Sequence, residues 1–183
     1  MKVVPAEIPD VLVLEPRVFT DGRGFFFESW TKRTFASVTG LDVGFVQDNQ
    51  ARSVKGVLRG LHYQLEKAQG KLICVTRGRM YDVAVDIRRS SPTFGRWVGT
   101  ELSDANHLQV WIPTGFAHGY LVLSEEVDVV YKTSDFYAPE TERTIVWNDP
   151  DLGIAWPLGS GEQPILSAKD AAAARFRDAD LFP

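Results

Sequence analysis

The chain has 183 residues, enough for one domain with a substantial core, and it carries 20 Lys+Arg against 24 Asp+Glu. The resulting net charge of −4 argues against a nucleic-acid backbone as partner, and the single Cys74 excludes a disulfide framework or a multi-cysteine metal site. The opening MKVVPAEIPD lacks an apolar signal core, and no run approaches the ~20 apolar residues of a membrane span, so a cytoplasmic location with no membrane partner is expected.

In chain order, VLVLEPRVF, GFFFESW and VGFVQ read as strands, with a short helix in TKRTFASV between the last two. KGVLRGLHYQ, then KLICVTRGRMYDVAVDIR, GRWVGTELS, HLQVWIP, GYLVLSEEVDVVYKTS and RTIVWND continue the strand pattern. VTRGRMYDVAVDI divides at Arg77-Gly78. In its second half Tyr81, Val83, Val85 and Ile87 share one face, and Asp82, Ala84 and Asp86 the other. SAKDAAAARF is the better helix candidate, with Ser167 as N-cap and an alanine run behind it. Many short strands and no repeat or linker predict a single all-β domain over residues 1–183, an antiparallel jelly roll with a few short helices mainly near the C-terminus.

VLRGLHYQ places one of only three histidines, His62, in a strand that reads as buried. Arg59 and His62 are three apart, so a regular strand points them to opposite faces; Gly60 between them is a natural site for a bulge that turns both inward. IPTGFAHGY has the form Pro-x-Gly-x-x-His, with Pro113, Gly115 and His118, and resembles the second signature motif of the cupins. In metal-binding cupins the first motif supplies His-x-His and a glutamate. Here Gln64 stands where the second histidine would be, so a cupin scaffold without a metal or other cofactor is expected.

Eight segments, FTDGRGFFFESW, FVQDN, GVLRGLHYQ, DVAVDIR, LSDANHLQVWIPTGFAHGYLVLS, VVYKTSDFY, IVWNDPDLGIAWP and LSAKD, are similar in order and spacing to the dTDP-4-dehydrorhamnose 3,5-epimerases, from about Phe19 to Asp170. The resemblance implies inversion of C3 and C5 of dTDP-4-dehydro-6-deoxy-D-glucose, giving dTDP-4-dehydro-L-rhamnose for dTDP-L-rhamnose biosynthesis. Both protons are α to the C4 ketone, so each centre needs a base, an acid on the other face and a stabilised enolate between. His62 matches the family's base, and imidazole titrates close to working pH. Tyr131 matches the proton donor, and a phenol stays protonated until the carbanion forms. Lys71 is placed as the fixed cation at the enolate oxygen. The matching aspartate, Asp170, pairs with the base and fixes its tautomer; Asp82 and Asp86 are alternatives from the strand. Without the resemblance, Tyr131 reads as a packing residue, Lys71 as an edge charge, His118 as a core hydrogen-bonder and Asp170 as a first-turn carboxylate.

For the nucleotide end, the resemblance gives Arg23, Arg59 and Lys169 as phosphate contacts and Tyr137 as the ring stacked on the base. Glu28, Gln47, Asn49, Glu142 and His118 match further substrate contacts. The family is a homodimer with exchanged N-terminal strands, which would carry Arg23 and Glu28 to the partner's site. Alternatives are a single-centre 3- or 5-epimerase of another dTDP-4-keto-deoxysugar and a non-catalytic sugar-nucleotide-binding cupin. Arg175 and Arg177 read as surface charge.

Overall fold

The computed structural model describes residues 1–183. The N-terminal part holds β1 (Lys2–Val4), β2 (Leu12–Glu15), the hairpin β3 (Phe19–Asp21) and β4 (Gly24–Phe26), and helix α1 (Lys32–Thr39). The middle is β5 (Gln47–Val54), β6 (Leu58–Gln64), β7 (Lys71–Arg77), β8 (Arg79–Asp86) and β9 (Trp97–Ser103). β10 (Gln109–Ile112), β11 (Phe116–Val122), β12 (Glu126–Thr133), β13 (Glu142–Thr144) and the one-turn helix α2 (Ala168–Ala171) complete the chain.

Two antiparallel sheets, ordered β1-β2-β10-β7-β12-β5 and β13-β6-β11-β8-β9, face each other as a jelly roll of the cupin type. The space between them is filled by Val13, Ile73, Val75, Val127 and Val129 from the first sheet and Met80, Ala84, Val98 and Phe116 from the second. The predicted alternation of β8 is realised. Ala84 faces this inner core, whereas Val83, Val85 and Ile87 pack outward against Leu152, Trp156 and Phe176 of the C-terminal segment. On the outer side of the first sheet, α1 seals a third cluster: Phe35 is 1% exposed and meets Trp111 edge-on with ring centroids 5.7 Å apart. Thr31 caps α1 by accepting from the Thr34 amide at 3.2 Å, and Gly40 ends it with φ 73°.

Two expectations are corrected. The alanine run does not continue α2, which stops at Ala171. Those alanines present no apolar face to bury, and propensity alone does not sustain so short a helix; Ala174 instead accepts from the Val146 amide at 2.8 Å, extending the second sheet. The strand expected in VGFVQ lies mostly later, as QDNQARSV, whose inward positions are polar except for Ala51. Hydrophobic alternation fails there because Gln47 and Asn49 face a cavity, not the core.

The bulge predicted at Gly60 is present: His118 pairs with His62 and Tyr120 with Arg59, so Gly60 and Leu61 of β6 together oppose Gly119 of β11. Gly60 has φ 121°, and a β-carbon there would lie 2.5 Å from the Gly119 Cα and 2.7 Å from the His118 carbonyl oxygen. Gly60→Ala is therefore expected to destabilise the fold by about 2–4 kcal/mol in urea unfolding, the combined effect of a strained φ and a backbone clash. A loss below about 0.5 kcal/mol would show that this crossing is not tight.

Candidate active site

Between the sheets a cavity of about 320 Å³ is lined by Gln47, Asn49, His62, Gln69, Lys71, Tyr131, Tyr137 and Glu142, with Tyr63 and Gln64 at its edge. Strand periodicity delivers these groups. Gln47 and Asn49 are inward positions of β5, and Tyr131 and Lys71 continue the inward rows of Val127–Val129 and Ile73–Val75. Tyr131 is the register partner of Asn49, and Lys71 that of Thr133. His62 enters from the opposite sheet. A larger groove of about 650 Å³, between residues 5–7 and β9, contains none of the candidate residues.

His62 Nε2 lies 2.6 Å from Asp170 Oδ1. Asp170 is 2% exposed, and its second oxygen accepts from the Ser167 hydroxyl at 2.8 Å. The same hydroxyl accepts from the Asp170 amide at 3.1 Å, so the N-cap of α2 fixes the carboxylate that fixes the histidine. Burial pushes the Asp170 carboxyl up, but the His62 contact, Ser167 and the charge of Lys169 outweigh it and hold it below the ordinary range. With Nε2–H donated to Asp170, a neutral His62 carries its free lone pair on Nδ1. The other two aspartates are engaged elsewhere: Asp82 bonds His118 Nε2 at 2.7 Å, and Asp86 accepts from Arg88, Ser91 and Thr93.

Lys71 is partly buried without a salt-bridge partner, and burial lowers its pKa to about 8 against the pull of Glu142 and Asp82. Burial pushes the Tyr131 phenol up, with Tyr120 and Glu142 adding to it and Arg59 opposing. At the rim Glu142 accepts from Tyr137 at 3.0 Å and pairs with Lys169 at 2.8 Å. Gln47 donates to Asn49 at 2.8 Å and accepts from the Tyr137 amide at 3.2 Å.

Gln64, at the expected second-histidine position, spends both ends of its amide on the backbone, donating to the Lys67 and Phe136 carbonyls and accepting from the Ala138 amide. It holds the 136–138 loop over the cavity. No three His, Cys, Asp or Glu side chains converge into a group that could hold a metal ion. His118 sits beside His62 in register but does not line the cavity, and Lys169 and Arg59 flank it without lining it. Arg23 and Glu28 are elsewhere. Arg23 pairs with Asp21 in the projecting β3–β4 hairpin, and Glu28 accepts from Thr34 near the start of α1. Sequence reasoning missed Gln69 as a lining residue and Ser167 as a partner of Asp170. Ser167 was legible as an N-cap, whereas Gln69 gave no signal.

The family model described as dTDP-4-dehydrorhamnose 3,5-epimerase matches residues 5–178. The dTDP-4-dehydrorhamnose 3,5-epimerase of Pseudomonas aeruginosa is 60% identical over 183 residues, covering 100% of both chains. The Legionella pneumophila epimerase in complex with dTDP-4-keto-L-rhamnose superposes with TM-score 0.95 at 51% identity, covering 98% of this chain and 94% of that one. A 3′-monoepimerase from Streptomyces bikiniensis in complex with dTDP-quinovose has TM-score 0.88 at 35% identity, covering 97% and 88%. The chain belongs to the dTDP-4-dehydrorhamnose 3,5-epimerase family.

Proposed function

We propose that the chain inverts C3 and C5 of dTDP-4-dehydro-6-deoxy-D-glucose, with His62 as base, Tyr131 as acid, Lys71 at the enolate oxygen and Asp170 as the residue that positions His62. The observation that carries this reading is the pairing of an Asp170-oriented histidine on one sheet with a protonated tyrosine and a lysine on the other, around one cavity. His62 Nδ1 takes the proton from C3; the C–H electrons become the C3=C4 bond of an enolate, and the C4 oxygen gains the charge beside Lys71. Tyr131 returns a proton to C3 from the other face, leaving a phenolate and an imidazolium that are reset by proton exchange. The same steps at C5, before or after those at C3, use the same C4 oxygen and the same lysine.

Arg59, Lys169 and Tyr137 are assigned to the nucleotide end, and Gln47, Asn49, Glu142 and His118 to further substrate contacts. A homodimer in which the β3–β4 hairpins exchange, bringing Arg23 and Glu28 to the partner's cavity, is part of the proposal. What supports it is the exposure of Phe19, Phe25 and Phe26 on that hairpin, 51%, 61% and 72%, too much apolar surface to leave in water.

In D2O with the keto-sugar nucleotide, deuterium is expected at both C3 and C5, and His62→Ala should slow both exchanges by about 10³-fold with dTDP still bound. Label at one carbon only would assign a single-centre epimerase. No label with dTDP bound would leave a sugar-nucleotide-binding protein. Mixing Arg23→Ala with His62→Ala protein should restore about a quarter of wild-type activity, since half the dimers pair unlike chains and each has one intact site. No recovery after subunit exchange would refute strand exchange.

The pH dependence of Lys71 has two opposite consequences. Because its pKa is lowered to about 8, the cation is lost as pH rises through that value, and kcat should fall there. The folded chain then binds fewer protons than the unfolded one between about 8 and the ordinary 10.5, so the Lys71 contribution to stability increases with pH. Falling kcat with rising stability relative to Lys71→Met, measured from pH 7 to 10, is the expected result. A kcat flat to pH 10 would remove Lys71 from the role.

A further inference from the structure

Two neighbouring arginines are held in opposite ways. Arg52, on the outer face of β5, forms a two-point ion pair with Asp128, Nε to Oδ1 at 2.7 Å and Nη2 to Oδ2 at 2.6 Å. Its charge is cancelled where it stands. Arg59 has no carboxylate partner: its Nε donates to Ser53 Oγ at 3.0 Å and its Nη2 to the Arg52 carbonyl at 3.3 Å. Ser53 is 5% exposed, and its hydroxyl lies 3.4 Å from the Tyr120 hydroxyl, itself on a side chain 6% exposed. These groups come from three strands, since Ser53 is on β5, Tyr120 on β11, and Arg59 is the register partner of Tyr120 on β6. The anchor thus ties an edge strand of one sheet to the bulge of the other.

We propose that Ser53 and Tyr120 are positioning residues, a buried hydroxyl anchor that aims the Arg59 guanidinium at the diphosphate of the ligand without neutralising it. This rests on the reading of Arg59 as a diphosphate contact. An acceptor on Nε fixes the plane of a guanidinium close to its stem. A carboxylate there would compete with phosphate for the charge, as Asp128 does for that of Arg52. A neutral hydroxyl and a carbonyl give the same orientation and leave the full charge, and the unbonded Nη1, for the ligand. Holding the guanidinium in advance also lowers the side-chain entropy lost on binding.

The test is the affinity for dTDP and for thymidine, by calorimetry and NMR titration, of Ser53→Ala, Tyr120→Phe, Arg59→Lys and the Ser53→Ala/Arg59→Lys double variant. Ser53→Ala is expected to weaken dTDP about tenfold and Tyr120→Phe about threefold, with thymidine unchanged, as for loss of a bond that orients a charge. Since lysine has no Nε, Ser53→Ala should cost nothing further in the Arg59→Lys background. Ser53→Thr should restore dTDP binding, which separates the anchor from misfolding of the alanine variant. Equal weakening of dTDP and thymidine, or the same factor lost in both backgrounds, would make the pair merely structural and overturn the proposal. Wild-type dTDP affinity in Arg59→Lys would instead overturn the reading of Arg59, and the anchor's role with it.

Discussion

The site depends on one close backbone crossing, where Gly60 of β6 meets Gly119 of β11 with no room for a side chain on either. A β-carbon on Gly119 would lie 2.8 Å from the Arg59 carbonyl oxygen, as one on Gly60 would crowd Gly119. The crossing absorbs the extra residue of the bulge, and the bulge changes the strand's parity. Without it Arg59 and His62 would face opposite sides of the sheet, and the proposed diphosphate contact would lie on the face away from the base. The register of His118 and Tyr120 opposite these residues follows from the same shift.

Given that crossing, the rest of the site is a matter of keeping polar groups stable inside a β-sandwich. The buried polar groups around the cavity are answered locally: Asp170 by His62 and Ser167, Asp82 by His118, Gln64 by the loop it holds. Lys71 is the exception. It has no ion-pair partner, and its lowered pKa records the cost of burial. A cation left short of counter-charge is suited to an oxyanion that exists only during the reaction, because its stabilisation is strongest when that charge appears.

Much of this was legible in the sequence, for identifiable reasons. The sheet inner faces, the division at Arg77-Gly78, the alternation in β8 and the bulge at Gly60 follow from strand periodicity and glycine chemistry. Strand β5 was not legible as a strand because Gln47, Asn49 and Ser53 point inward, where periodicity rules look for apolar residues. The alanine run was misread because local propensity says helix, while pairing of Ala174 with Ile145 and Val146 decides otherwise. Among the aspartates, sequence left Asp82, Asp86 and Asp170 open. Only the fold, by returning the C-terminal segment to β6 across 108 residues, selects the one against His62. Anchors such as Ser53–Arg59 lie wholly beyond sequence reading, since they join three strands through single hydroxyls.

The wiring also bears on how one site can serve two carbon centres. C3 and C5 flank the same C4 carbonyl, so one cation at that oxygen suffices for both enolates, and one base and one acid on facing sheets suffice if the ring can offer each carbon in turn. The chemical groups then do not limit the number of inversions; the placement of the ring between the sheets does. That agrees with the close superposition of a 3′-monoepimerase on this chain at 35% identity. On the proposed assignment, ring placement follows from the hold on the nucleotide end, away from the reacting carbons. With Arg59 as the proposed diphosphate contact, its rigid orientation would make the diphosphate a pivot, and small changes in that pivot would decide which carbon faces His62 Nδ1. On this view specificity within the family resides less in the His62–Asp170–Tyr131–Lys71 set than in how the diphosphate is anchored.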